Sequence, residues 1–494
     1  MEENRKRHCW ECLRRCLVCD FAQPSCKRCS ASGTACPGYG DVKPSTLRWL
    51  EPGKVVSQTR RRRAACTAKD ASKTRGLVVR TRAEEMKIPR FEMKTASHAI
   101  VQAAEYYNSC IYPDLAPIQG LGHNPHIYRI LPSHIRASVA LPDFISLGVV
   151  CITLNHRIHR IRNKSQCGDL VKTYHQYRGS VIRSLNETLN TESQRIADVV
   201  VAGILTLLLA DAQQGDSPCW RWHIEAVRRI ITLRGGIRAM ANSKALRPLL
   251  LVFVCTVVMG NTTSPASDLA IASPYSDELD FVLKQAGPGI SPFQMCPPLL
   301  LADIVKINRL RMKATKREAG TSEALQQEAY RVLDSIDKFS PEQWGESMPL
   351  SKGDWKLLGT VYQVAALVYC ISSLQSLSIL PITPPLRVRC ASHGRVLRIL
   401  LETTLSSPQL KRFMMWPLIV LGVEALHGVA TIRSFVKEQL LEMSRYTGSY
   451  APLMAKSVLE KFWDSGATNW DSCFSRPYLF TAQLSVDMSE ILLS

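Results

Sequence analysis

From about Ala96 onward, apolar residues return at intervals of three and four, and few stretches alternate as a strand would. The clearest case is Ser322–Lys338, where Leu325, Ala329, Val332, Leu333 and Ile336 fall on one face of a helix. Two segments are apolar all round, "VVVAGILTLLLA" (Val199–Ala210) and "PLLLVFVCTVVMG" (Pro248–Gly260). Each is well short of the roughly 18 residues that a membrane span needs, so both are expected to be buried core helices, with no membrane partner. Thr191 is expected to cap the first of them, with Asp198 and Asp211 bracketing its apolar stretch. Breakers cut the region into helix-sized pieces: "GDSP" at Gly215, "RGG" at Arg234–Gly236, "TSPASD" at Thr263 and "PITPP" at Pro381–Pro385. The pair Gly235–Gly236 reads as a helix stop. The pattern therefore predicts a large all-α array of a dozen or more elements over residues 96–494.

Ahead of it, from Gly40 to about Thr95, the chain is polar and basic and has no sustained periodicity, as expected of a flexible linker over residues 41–95. No a/d heptad runs through this stretch, so it gives no support for dimerisation by a coiled coil, although a homodimer stays open. It contains Arg60, Arg61, Arg62 and Arg63 in succession, expected to serve nuclear import or extra phosphate contact. Charge sharpens the division. Residues 1–90 hold 21 Lys and Arg against 9 Asp and Glu, whereas the other 404 hold 41 against 33. A positive field concentrated at one end points to a polyanionic partner, nucleic acid before an anionic membrane surface. The first ten residues contain no apolar core of a secretory signal, and the expected compartment is the nucleus.

The chemistry sits in the same end. Seven of the seventeen cysteines precede residue 37, and the other ten are scattered singly, as buried thiols usually are. Setting Cys16 aside, Cys9-x2-Cys12-x6-Cys19 is repeated by Cys26-x2-Cys29-x6-Cys36, displaced by seventeen residues. A C-x2-C step lets two thiolates grip one metal, and a third returns to close the site. Zinc takes four tetrahedral ligands, so six thiolates can hold two ions only if two sulfurs are shared. The alternative C-x2-C-x3-C-x2-C run that includes Cys16 suits an iron–sulfur or single-zinc site, but it strands Cys26, Cys29 and Cys36. A cysteine-lined apolar core fails too, because the segment has almost no other large apolar residues and is too short to fold unaided.

These cysteines, with Pro24 ahead of Cys26 and "CPGY" closing at Cys36–Tyr39, resemble the fungal binuclear zinc cluster transcription factors. The passages "NPHIYRILP" (Asn124–Pro132), "DAQQGDSPCWRWHIEAVRRIITLRGG" (Asp211–Gly236) and "WPLIVLGVEA" (Trp416–Ala425) are similar to the helical fungal-specific transcription factor domain behind many such clusters. The resemblance implies a mainly-α protein: a zinc module at 1–40, a linker, and a helical regulatory domain at 96–494. It implies two zinc ions on Cys9, Cys12, Cys19, Cys26, Cys29 and Cys36, with Cys9 and Cys26 bridging. It also implies double-stranded DNA as partner, with CGG-type half-sites, and the RNA polymerase II transcription machinery. Arg14 and Arg15 would read bases, Lys27 and Arg28 hold the matching place in the second half, and Arg5, Lys6 and Arg7 form a basic arm. Cys16 and Val18 stand where the family usually presents cations, so Cys16 reads as a substituted DNA-reading residue and the DNA site sequence stays open.

Catalysis finds little support. The chain lacks G-x-S-x-G, a Walker loop and H-E-x-x-H. Trp220 and His223 share a helix face near Arg234, but they are expected to be a packing ring and a histidine bonded to a nearby loop or carboxylate. His156 and His159 lack a third metal ligand. The expectation is a zinc-dependent, non-enzymatic DNA-binding transcription factor, and the resemblance to the family implies pathway-specific control, such as that of secondary-metabolite genes. Two alternatives stay open: a regulator with a degenerate zinc module acting through a partner, and a helical ligand-binding or enzymatic domain with an incidental metal module.

Overall fold

The computed structural model describes residues 9, 11–12, 19–39, 95–122, 124, 127–138, 140–161, 167–215, 220–270, 278, 281–282, 296–315 and 322–483. The chain divides into two compact units, Met1–Lys87 and Ile88–Ser494. Among the described residues there are helices and turns and no strand. Arg5–Arg7, Arg14, Arg15, Cys16, Val18, Arg60–Arg63 and the rest of the linker before Thr95 lie outside the described residues.

In the first unit the described helix is α1 (Lys27–Ala31). The second unit contains α2 (Ala96–Tyr106), α3 (Asp143–Arg160), α4 (Gly168–Asn190), α5 (Asp198–Gln213), α6 (Trp220–Leu233), α7 (Leu246–Thr262) and α8 (Pro298–Thr315). It continues with α9 (Ser322–Lys338), α10 (Lys352–Ser376), α11 (Pro384–Ser406), α12 (Met415–Glu424), α13 (Ala430–Thr447) and α14 (Ala451–Asp464), and shorter helical elements such as Pro132–Ser138 and Pro341–Glu346 lie between some of the unit's helices. The array begins where polarity gives way to periodicity: Thr95 caps α2 by accepting from the His98 backbone N–H at 3.2 Å.

The two all-apolar segments are α5 and α7, and both lie deep in the core. On α9 the predicted stripe is the buried one, with Ala329, Val332, Leu333 and Ile336 under 4% exposed. The four breakers coincide with helix ends: α5 stops at Gln213, α6 at Leu233, α7 at Thr262, and α11 starts inside the proline cluster. After α6 the chain reverses through Gly235 (φ 83°) and Gly236 (φ 96°), whose N–H groups bond back to Thr232 and Ile231. These left-handed angles suit glycine and penalise a side chain.

One expectation needs correction. Thr191 does not cap α5; it closes α4, its hydroxyl donating to the Glu187 carbonyl at 3.2 Å, while Ala197 precedes α5. A Thr after a long helix can bond back to an i−4 carbonyl as readily as it can cap the next, and here the intervening turn separates it from α5. The most central helix lies outside the two apolar runs. It is α10, which packs against α8, α9, α11 and α12. It is long and apolar enough to cross a membrane, yet 78% of its apolar window is buried inside the unit. Gln, Gly and Ser interrupt its run of apolar residues, so burial by neighbours on all sides is visible only once the helices are packed.

Buried polar groups tie the array together. Arg311 on α8 is fully buried and donates to the carbonyls of Asn261 (2.8 Å) and Ser264 (2.7 Å), the Tyr369 hydroxyl (3.0 Å) and the Asp471 carboxylate (2.9 Å). A second node joins α4, α5 and α6: Arg178 grips Asp211 with bonds of 2.6 and 2.8 Å, and His223 Nε2 lies 3.3 Å from the same carboxylate.

Candidate metal centre

The cysteine repeat folds into one compact sulfur cluster. Cys9, Cys12, Cys19, Cys26 and Cys29 are at most 2% exposed, with Phe21, Cys36 and Tyr39 partly buried against them. Cys26 ends an extended segment and begins α1, so the C-x2-C step becomes one helical turn and places Cys29 beside Cys26. The Cys29 N–H donates to Cys26 Sγ at 3.3 Å, and the Cys12 N–H repeats this toward Cys9 Sγ at 3.4 Å. The two halves are thus built alike. Asp20 fixes the start of α1, its carboxylate oxygens each 3.1 Å from the Lys27 N–H. Lys27 and Arg28 are exposed on this helix.

Two quartets emerge, Cys9–Cys12–Cys19–Cys26 and Cys9–Cys26–Cys29–Cys36, each with its sulfurs within 4.8 Å of one another. Cys9 and Cys26 belong to both. The sulfur separations across the centre are 3.6 Å for Cys9–Cys26 and 3.7 Å for both Cys9–Cys29 and Cys12–Cys26. A tetrahedral thiolate site with metal–sulfur bonds of about 2.3 Å has edges of about 3.8 Å. The donor set, its burial and its spacing therefore fit metal ions held by shared thiolates. Burial pushes the Cys9 and Cys12 thiols up from their ordinary range and Cys29 up to about 12. Burial also opposes ionisation of Cys19 and Cys36, but backbone N–H donors outweigh it and bring them to about 6 and about 7. Sulfurs packed this closely need positive charge among them to be thiolates together.

Sequence reasoning missed Tyr39, whose hydroxyl donates to the Ala22 carbonyl at 2.9 Å and lies 3.5 Å from Cys19 Sγ. "CPGY" placed an aromatic at the end of the module, but nothing in the spacing said which sulfur it would meet.

In the helical unit the other candidates take structural roles. Trp220 is fully buried, its indole N–H 3.4 Å from the Pro477 carbonyl, and a side chain on Gly260 would run into its ring. His223 bonds the Asp211 carboxylate, while Arg234 pairs with Asp198 and the Ile196 carbonyl. His156 Nδ1 meets the Tyr106 hydroxyl at 3.1 Å, and burial lowers its pKa well below the usual range. Among the described residues, metal-ligand groupings occur only in the cysteine cluster. The described cysteines are all free, and those of the helical core are mostly buried thiols.

The chain thus joins a cysteine cluster that could hold metal ions to a large helical array. Residues 103–480 match the fungal specific transcription factor domain, and the chain belongs to that family. It is also 44% identical, over 99% of its own length and 92% of the relative's, to the "Phomenoic acid biosynthesis cluster-specific transcriptional regulator" of Leptosphaeria maculans. No solved structure matches the chain. It is a transcriptional regulator of the fungal type.

Proposed function

We propose that the chain is a zinc-dependent, sequence-specific DNA-binding regulator of RNA polymerase II transcription that acts in the nucleus on the genes of one biosynthetic cluster. The observation that carries the metal part is the pair of cysteine quartets sharing Cys9 and Cys26. Two zinc ions would be held by Cys9, Cys12, Cys19, Cys26, Cys29 and Cys36, and the metal would supply the folding energy of the module. The likeness to a cluster-specific regulator over nearly the whole chain supports the pathway-specific part.

Residues 1–40 form the DNA-binding module, 41–95 the basic linker with Arg60–Arg63 as import signal, and 96–494 the regulatory domain. Arg14 and Arg15 face base edges, while Lys27 and Arg28 on α1 and the arm Arg5, Lys6 and Arg7 contact the matching half-site or phosphates. An arginine bidentate to guanine O6 and N7 discriminates by about 1–3 kcal/mol, whereas phosphate contacts add affinity without sequence information. The chain performs no catalysis in this reading.

The test uses the full chain: zinc counted per chain, then selection of bound duplexes from random DNA. Two zinc ions and enrichment of a CGG-type triplet are expected. Two zinc ions without enrichment would favour the regulator that acts through a partner, a reading motivated by Cys16 and Val18 at positions where the family carries cations. One zinc or an iron chromophore would overturn the assignment.

A further inference from the structure

The two halves of the cysteine repeat are equivalent in their ligands but not in what surrounds them. The displacement of seventeen residues that maps Cys19 onto Cys36 also maps Ala22 onto Tyr39. These two equivalent positions touch, because the Tyr39 hydroxyl donates to the Ala22 carbonyl at 2.9 Å. The same hydroxyl lies 3.5 Å from Cys19 Sγ, the terminal thiolate of the other half. A metal-bound Cys19 carries no proton, so in this pair only the tyrosine can donate, its single hydrogen shared between the carbonyl and the sulfur. The reciprocal contact cannot exist: Ala22 has no polar side chain to offer Cys36. Cys36 is also the one ligand of the six that is not fully buried.

We propose that Tyr39 is an outer-shell clamp on the Cys12/Cys19 side of the centre, which makes the two metal positions unequal: the Cys29/Cys36 position exchanges its ion first. Hydrogen bonds from outer-shell groups orient ligands and hold metal, and their loss typically costs 10- to 100-fold in affinity. Tyr39 is also partly buried against the sulfur cluster, so it touches the centre by packing as well as through its hydroxyl. This inference rests on the two-zinc reading above.

The test follows zinc released from the full chain to an excess of a chromophoric chelator, with freed thiols trapped by iodoacetamide and mapped by mass spectrometry. Wild-type protein should release its two ions in two phases, with Cys29 and Cys36 alkylated in the fast one and Cys12 and Cys19 in the slow one. Tyr39→Phe keeps the ring and removes only the hydroxyl. It should still hold two ions at saturation, while its slow phase accelerates on the order of 10- to 100-fold and the two phases merge. Ser25→Ala, which removes an exposed hydroxyl paired only with Ser30, should leave both rates unchanged. Unaltered release in Tyr39→Phe, or first alkylation of Cys12 and Cys19, would overturn the clamp while leaving the two-zinc reading intact. A wild-type chain that binds other than two ions would overturn both.

Discussion

The two units of this chain solve the same problem with different materials. The helical unit buries whole helices such as α5, α7 and α10 against one another, and each enclosed Leu or Ile side chain contributes about 1.5–3 kcal/mol. Among its described residues, the cysteine module has no such reserve. Its described core consists of five sulfur-bearing side chains, with Phe21, Cys36 and Tyr39 leaning on them. A core of that size does not repay the entropy of ordering forty residues, and in the proposed zinc reading the metal supplies the difference. The contrast extends to tolerance. In the helical unit the loss of one contact is shared among many neighbours, whereas in the module Cys9 and Cys26 each serve both quartets.

The largest expected effect separates the units outright. Stripping metal with a strong chelator should unfold the cysteine module, since thiolate zinc sites carry apparent binding energies of about 10–16 kcal/mol, and should leave the helical circular dichroism almost unchanged. Cys26→Ser should do the same, while Cys16→Ser should retain metal and fold. Equal metal loss in both variants would show that the seventh cysteine is a ligand. Loss of most helical signal on chelation would show that the array leans on the module.

Arg311→Ala tests the opposite side. It strips donors from two buried carbonyls and leaves Asp471 without its buried partner, so denaturant unfolding should show a loss of about 3–5 kcal/mol. Zinc content should not change. A drop in metal stoichiometry would contradict the independence of the two units.

Asp211→Asn should cost less, about 1.5–3 kcal/mol, because Arg178 is partly exposed and keeps some solvation. Its signature is pH. Burial by itself would raise the Asp211 carboxyl, but the hydrogen bonds from Arg178 and His223 outweigh it and hold the pKa below the usual value. A depressed folded-state pKa means that the stabilisation is present above the unfolded value, near pH 3.9, and is lost as pH falls through the folded value. The difference in stability between wild type and Asp211→Asn should therefore be constant at neutral pH and shrink below about pH 4. A constant difference down to pH 2 would remove the carboxylate from the account.

The smallest effect concerns recognition. Cys16→Lys should improve discrimination between a CGG-type duplex and a scrambled one by about 1–3 kcal/mol, measured by competition at several salt concentrations. Arg15→Ala should do the reverse. Replacing Arg60–Arg63 should weaken binding evenly across sequences and flatten the salt dependence. An unchanged specificity ratio in both single variants would mean that this segment does not read bases.

What could be read from the sequence alone is local in origin. Helix content, the buried face of α9, the helix ends at Gly215, Gly235 and Thr263, and the pairing of the two cysteine triplets all follow from spacings of a few residues. Side-chain period, glycine conformation and C-x2-C geometry act at that range. The tertiary structure decided what depends on residues far apart. Arg311 meets Asp471 across 160 positions and Arg178 meets Asp211 across 33, so neither pairing has a local signature. The centrality of α10 likewise comes from the helices that surround it. Thr191 had two local options, and the turn before α5 chose between them. Tyr39 is the sharpest case: its presence at the end of the module is a fact of sequence, but its reach to Cys19 exists only because the two halves fold onto one set of sulfurs. Spacing can group the cysteines of each triplet because they lie close along the chain, whereas the partners of a buried charge or of the Tyr39 hydroxyl are set by how distant segments pack.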